Sequence, residues 1–238
     1  MTAPPGRPAP APAPPADPGV ALGLHAAFGV AALAVVLWPA LVLPGRGVVA
    51  APPMLGWRLV GTVALYYAVL LWAGRRRAGW TSLWAFVAPL SAFQVAPDAV
   101  LAGAVGTLRF VDLGGPHVGP VPLAMAGMWA IPLWLSTAAG LWSRSAWVAG
   151  GVAGLLFVGA EATVGAGLIW EAVGVAAVGP VAVYVVGPEV LLGAATYVAY
   201  RRTAGRSWPR RVGAAAVLSA GYLAAALASH AVIDGALG

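Results

Sequence analysis

At 238 residues, 61% hydrophobic, 8% charged and with a mean hydropathy of +0.88, this chain cannot present an ordinary water-facing surface, because a soluble domain carries about 25% charged residues. The net charge of +6 and pI near 10.5 would suit nucleic acid in a soluble protein. Here all thirteen basic residues are Arg, set at the ends of apolar runs as orientation signals, and the absence of Cys excludes disulfides, thiolate metal sites and a Cys nucleophile.

Residues 1–19, MTAPPGRPAPAPAPPADPG, are rich in Pro and Ala and read as a disordered or polyproline-II tail. No basic start runs directly into an apolar stretch, so no cleavable signal is expected. Residues 20–238 read as a single transmembrane domain. Seven apolar runs follow, each near the ~20 residues a span requires. They cover about Val20 to Leu43, Trp57 to Gly74, Trp80 to Val105, Pro120 to Trp142, Ala146 to Ala166, Gly179 to Tyr200 and Val212 to Val232. Between the third and fourth lies a Gly/Pro-rich connection, TLRFVDLGGPHVG. The expected fold is all-α, an integral-membrane bundle of about seven helices.

Arginine placement sets the span count. With two spans between Ala146 and Tyr200, ten Arg fall on one side (the tail, Arg75 to Arg77, Arg144, and Arg201 to Arg211). Arg46, Arg58 and Arg109 fall on the other. A third span there would erase the bias. The positive-inside rule thus predicts a cell-membrane protein with a cytoplasmic N-terminus and an outer C-terminus.

The acids are the informative residues. Burying an ionised carboxylate in hydrocarbon costs several kcal/mol, so such a group is neutral, paired or turned to a polar cavity. Asp98 follows Pro97 in the outer part of the third span, and Glu189 follows Pro188 near the middle of the sixth. Glu161 sits at a similar level in the fifth. Prolines free backbone groups and so tend to line cavities. Glu189 is the stronger candidate, since Asp98 becomes an interfacial residue if its helix ends near Pro97.

Other polar residues have a plainer reading beside the functional one. Asp112 pairs with Arg109 at the surface by default. Alternatively the connection forms a lid, with His117 as a proton relay. Glu171, beside Trp170, reads as an interfacial loop residue. His25 and His230, near span ends, read as local hydrogen-bonders. Trp57, Trp72, Trp80, Trp142, Trp147 and Trp208 fall at span ends, as aromatic belts require. Trp129, Trp134 and Tyr184 lie deeper, where their faces either pack helices or stabilise a carbocation.

Absent motifs narrow the chemistry. No Lys is present for a retinal Schiff base, and no Asp-x-x-x-Asp motif, His-rich cluster, P-loop, nucleophile elbow or zinc motif occurs. Nor do two similar halves, as in many transporters, stand out.

GPVPLAMAGMWAIPLWL (119–135) and PVAVYVVGPEVLLGAATYVAYR (180–201) resemble small bacterial and archaeal membrane proteins of unassigned function. The seven-helix plan with acids in its spans more loosely resembles the membrane-bound terpene cyclases and the carotenoid hydratases and cyclases. Pro188-Glu189 is similar to the Pro-x-Glu-Glu/Asp signature of the small carotenoid cyclases, with altered spacing and Val190 in place of the second acid. The resemblance implies a cofactor-independent lyase or isomerase that protonates an alkene or epoxide of an isoprenoid. Its implied catalytic groups are Glu189, Asp98 and Glu161. Trp129, Trp134, Tyr184, His117 and Asp112 are the implied substrate contacts. The expected partners are a hydrophobic small molecule and the lipid bilayer, with no metal, organic cofactor or nucleic acid. A proton- or cation-coupled transporter and a non-catalytic scaffold are the alternatives.

Overall fold

The computed structural model describes residues 12–42, 54–165 and 168–235. Its helices are α1 (Pro18–Val42), α2 (Leu55–Gly74), α3 (Trp80–Phe93), α4 (Val95–Val100), α5 (Met125–Met128), α6 (Ala130–Ser143), α7 (Ala146–Ala160), α8 (Val183–Thr203) and α9 (Trp208–Ile233). Wider π-helical turns, Leu101–Val105 and Glu161–Gly165, extend α4 and α7. Six helices are long and apolar enough to cross a membrane: α1, α2, α3 running through Gln94 into α4, α7, α8 and α9; α5 and α6, joined at Trp129, form a seventh, shorter member of the bundle. Among the described residues the result is an all-α integral-membrane bundle of seven helices, six of them long and apolar enough to span.

Three boundaries differ from the sequence expectation. The fourth and sixth spans begin later than Pro120 and Gly179, because both residues belong to β-hairpins. These are β2 (His117–Val118) with β3 (Val121–Pro122), and β5 (Ala177–Val178) with β6 (Val181–Ala182). Gly119 and Gly179 turn the hairpins at φ 59° and 60°, a left-handed conformation that a Cβ disfavours. α9 begins a turn early, at Trp208, with Pro209 in its first turn, where the missing N–H costs nothing.

The tail is not free throughout. Ala16 N–H donates to Ala78 O at 3.0 Å, and Trp80 and Trp142 indoles donate to Ala16 O and Pro15 O at 2.7 and 2.8 Å. Asp17 pairs with Arg77 at 3.2 Å. Residues 15–17, the end of the segment read as a disordered or polyproline-II tail, dock across the ends of α2, α3 and α6. Residues 1–11 lie outside the described part. Trp80, assigned to an aromatic belt from sequence, is fully buried by this docking.

The two halves of the core follow one plan, which corrects the expectation of no internal repeat. Sixty residues separate the π turns at 101–105 and 161–165, the hairpins β2/β3 and β5/β6, and the left-handed Gly114 and Gly174. The same step relates the hydrogen bonds Leu123 N to Pro116 O (2.8 Å) and Val183 N to Ala176 O (2.9 Å). Val-Gly-Pro-Val recurs at 118–121 and 178–181. Strands β1 (Leu108–Phe110) and β4 (Trp170–Ala172), one from each half, pair antiparallel with Arg109 opposite Glu171. Antiparallel pairing of equivalent strands at one end of a bundle is what a twofold axis along the bundle produces.

The arginines of the α2–α3, α6–α7 and α8–α9 junctions gather at the opposite end from this small sheet. α7 and α8 form the most extensive helix pair. Small residues set their approach, since Gly150, Gly154 and Gly193 abut Val190, Ala149 and Ala153 directly.

Candidate functional site

Beneath the sheet lies a cavity of about 300 Å³. Asp98, Glu161 and Glu189 all line it, so the structure brings the three acids singled out from sequence into one place. Repeat-related residues face it from both halves: Leu101 and Glu161, Met125 and Val185, Trp129 and Glu189 at the sixty-residue step, and, from the paired strands, where the step is sixty-two, Leu108 and Trp170, Phe110 and Ala172. Both halves therefore contribute to the cavity, together with α1, which belongs to neither. Two of the three carboxyl groups stand where the first half carries Leu101 and Trp129.

Local structure explains how each acid is held. Pro97 does not end its helix. α4 restarts after Gln94, whose carbonyl accepts from Asp98 N–H at 3.1 Å. Gln94 is itself fixed by Ser219, whose hydroxyl donates to Gln94 Oε1 at 3.1 Å and Phe93 O at 3.0 Å. Asp98 is 3% exposed, so the interfacial alternative is excluded. Its Oδ2 accepts the Trp129 indole N–H at 3.1 Å. Trp129 sits at the α5–α6 break, where Ala130 N–H donates to Ser91 Oγ at 2.9 Å and Tyr67 donates to Gly127 O at 2.8 Å.

Glu161 opens the π turn of α7, and its Oε1 accepts the Trp170 indole N–H at 2.8 Å. Glu189 follows Pro188 inside α8 and is 3% exposed, yet among the described residues its Oε2 meets no hydrogen-bond partner. An unpaired polar atom in such a setting costs about 1–3 kcal/mol. Among the described residues no three His, Asp or Glu side chains converge closely enough to hold a metal ion. The carboxyl groups thus stand around the cavity, not at one point.

The remaining wall is apolar and aromatic. Trp129 meets Phe157 at 4.9 Å and Tyr222 at 5.3 Å between ring centroids. Tyr184 also lines the cavity, its hydroxyl sharing a 2.9 Å hydrogen bond with Thr107. The indole of Trp134 instead packs outside the lining, stacked on His25 at 5.1 Å and beside Trp80 at 5.1 Å. His25 exceeds its expected local role. One nitrogen bonds Ala21 O at 2.7 Å, the other meets the Tyr66 hydroxyl at 2.8 Å, and the ring reaches the cavity lining.

Asp112 and His117 do not reach the cavity. Both are exposed; Asp112 accepts from Gly114 N–H at 3.0 Å, and His117 bonds Gly115 O at 2.8 Å. Arg109 pairs not with Asp112 but with Glu171, because the β1–β4 register sets them opposite. His230 does bond locally, meeting Asp234 at 2.7 Å. Sequence reasoning missed Tyr222, Phe157, Thr107 and the donor role of Trp170. Tyr222 carried a usable signal as the lone aromatic residue deep in the seventh span.

A family model described as a domain of unknown function, DUF6989, matches residues 95–233. The chain belongs to the DUF6989 family. The DUF6989 region begins just after the Gln94 break and ends with α9. It therefore holds all three acids and both hairpins, and leaves α1, α2 and α3 outside. No curated protein and no solved structure matches the chain.

Proposed function

We propose that this DUF6989 protein is a membrane-embedded, cofactor-independent enzyme that protonates an alkene or epoxide of an isoprenoid or similarly apolar substrate. The observation that carries this reading is the shared cavity: three carboxyl groups and an aromatic wall around one apolar space. A carboxylic acid gives its proton to the substrate, and the cation formed is captured by water or loses a proton to a carboxylate. Glu189, with no donor on Oε2, suits the proton donor. Asp98 and Glu161, each holding an indole N–H, suit acceptors that take a proton back. Trp129, Tyr184, Phe157 and Tyr222 suit the wall that steadies the cation.

Asp98→Asn and Glu189→Gln test the proposal by product formation in membranes that contain the protein at unchanged level. Both are expected to abolish turnover. Normal turnover in both sinks the reading.

The internal repeat favours a second reading, a proton- or cation-coupled carrier, since carriers are commonly built from parallel or inverted repeats. Uptake into proteoliposomes that requires a pH gradient would select it over the enzyme. In either case we place the arginine-rich end in the cytoplasm. The chain has no native Cys, so single cysteines introduced at His117 and Arg206 report the sidedness directly by labelling of intact cells.

A further inference from the structure

Ligand charge and size follow from the same cavity. Its described lining contains three carboxyl groups and no Arg, so an anion finds no counter-charge there and is repelled by any carboxyl that ionises. A neutral hydrocarbon leaves Glu189 Oε2 as it stands, buried without a partner. A cation satisfies that oxygen and also gains from the ring faces of Trp129, Phe157, Tyr184 and Tyr222, whose π systems attract positive charge.

Volume sets how much of the molecule the cavity itself takes up, since its mouth is open and a longer chain can continue through it. A dry cavity of about 150 Å³ holds benzene, or about 25 Å³ per carbon. The 300 Å³ found here thus accommodates about twelve carbons by the same measure.

We infer that the cavity is a binding site for a lipophilic monocation, with its charged head at Glu189 and about a dozen carbons of its chain held along the apolar wall. This goes beyond acid catalysis, because it requires no turnover and holds equally for an enzyme or a carrier.

Charge balance requires that the cation enter as one proton leaves the carboxyl set. The titratable groups facing the site are His25 from α1, Asp98 from α4, Glu161 from the π turn of α7, Tyr184 and Glu189 from α8, and Tyr222 from α9. α5 and α6 supply apolar residues and Trp129 but no titratable group. Proton and cation therefore compete, and binding weakens as pH falls, by up to about tenfold per unit for a one-proton exchange.

Calorimetric titration of the full chain in nanodiscs of zwitterionic lipid tests this with decyltrimethylammonium, 1-decanol and decyl sulfate. The cation is expected to bind about tenfold or more tightly than the alcohol, the sulfate not to bind, and Glu189→Gln to weaken the cation about tenfold. Equal binding of sulfate and ammonium, or unchanged cation affinity in folded Glu189→Gln, overturns the inference. If that variant fails to reach the membrane, the three probes and the pH dependence on the unmutated protein decide. Binding and turnover are separate readouts. Cation binding without turnover defeats only the enzyme, whereas turnover without cation binding defeats only this inference.

Discussion

Replacing Gly193 with Ala should loosen the helix pair that carries two of the three acids. An added Cβ there would lie 3.0 Å from Ala149 O and 3.4 Å from Gly150 Cα, and would overlap Ala153 Cβ. Carbon atoms settle at about 3.5–4.0 Å, and neither Ala149 nor Ala153, both fully buried, has a rotamer with which to turn away. Relief must come from separating α7 and α8 by roughly an ångström. Overpacking of this kind costs about 1–3 kcal/mol, offset by up to about 1 kcal/mol of helix propensity gained over Gly. With the full offset the net loss is about 0–2 kcal/mol, or up to roughly 8 °C in Tm for a chain of this size. Gly151 is the control: it lies on α7 with nothing within 4 Å of a built Cβ, so Gly151→Ala should hold or raise Tm. Thermal unfolding followed by Trp fluorescence in one detergent compares them. If Gly193→Ala melts no lower than Gly151→Ala, close glycine packing is not what sets this helix spacing.

The Arg109–Glu171 pair is half open to solvent, with side chains 71% and 33% exposed. A double-mutant cycle to Ala should therefore give a coupling of at most about 1 kcal/mol, fading in high salt; a larger, salt-insensitive value would contradict the exposure. Asp234 accepts Ala176 N–H at 2.6 Å and bonds His230, which holds its carboxyl below the usual 3.8. Its stabilisation is present above that value and is lost as pH falls through the lower folded one. The Tm deficit of Asp234→Ala should accordingly be full at neutral pH and shrink below about pH 4; a deficit that stays constant into stronger acid refutes it. Gly179→Ala places a Cβ at φ 60° and should cost about 1–2 kcal/mol. An unchanged Tm would mean that the hairpin turn contributes nothing to stability.

Much of the bundle was legible because arginine and long apolar runs mark span ends unambiguously. The third span reads correctly from Trp80 to Val105, even through the break at Gln94. The late starts of the fourth and sixth spans were not legible. Val-Gly-Pro-Val is as apolar as the helix that follows, so hydropathy cannot separate a two-residue strand from a span. The repeat escaped for a related reason. Its shared positions are largely Gly, Pro and Val, and the chain already holds 32 Gly and 21 Pro. The acids were legible because charge in oil is rare, but their indole partners were not. Trp129 lies 31 residues from Asp98, and no local spacing announces such a contact. Asp112 and His117 misled because a polar, Gly/Pro-rich connection looks like a lid, whereas their hydrogen bonds close the connection on itself.

A frame assembled twice from one plan gives its cavity a few matched positions from the two halves. A ligand between identical walls would seat in either of two opposed orientations with equal energy, and only half the population would meet a given group correctly. Glu161 opposite Leu101, and Glu189 opposite Trp129, remove that degeneracy. If the proposed ligand binds, these departures from symmetry would tell it which way to lie.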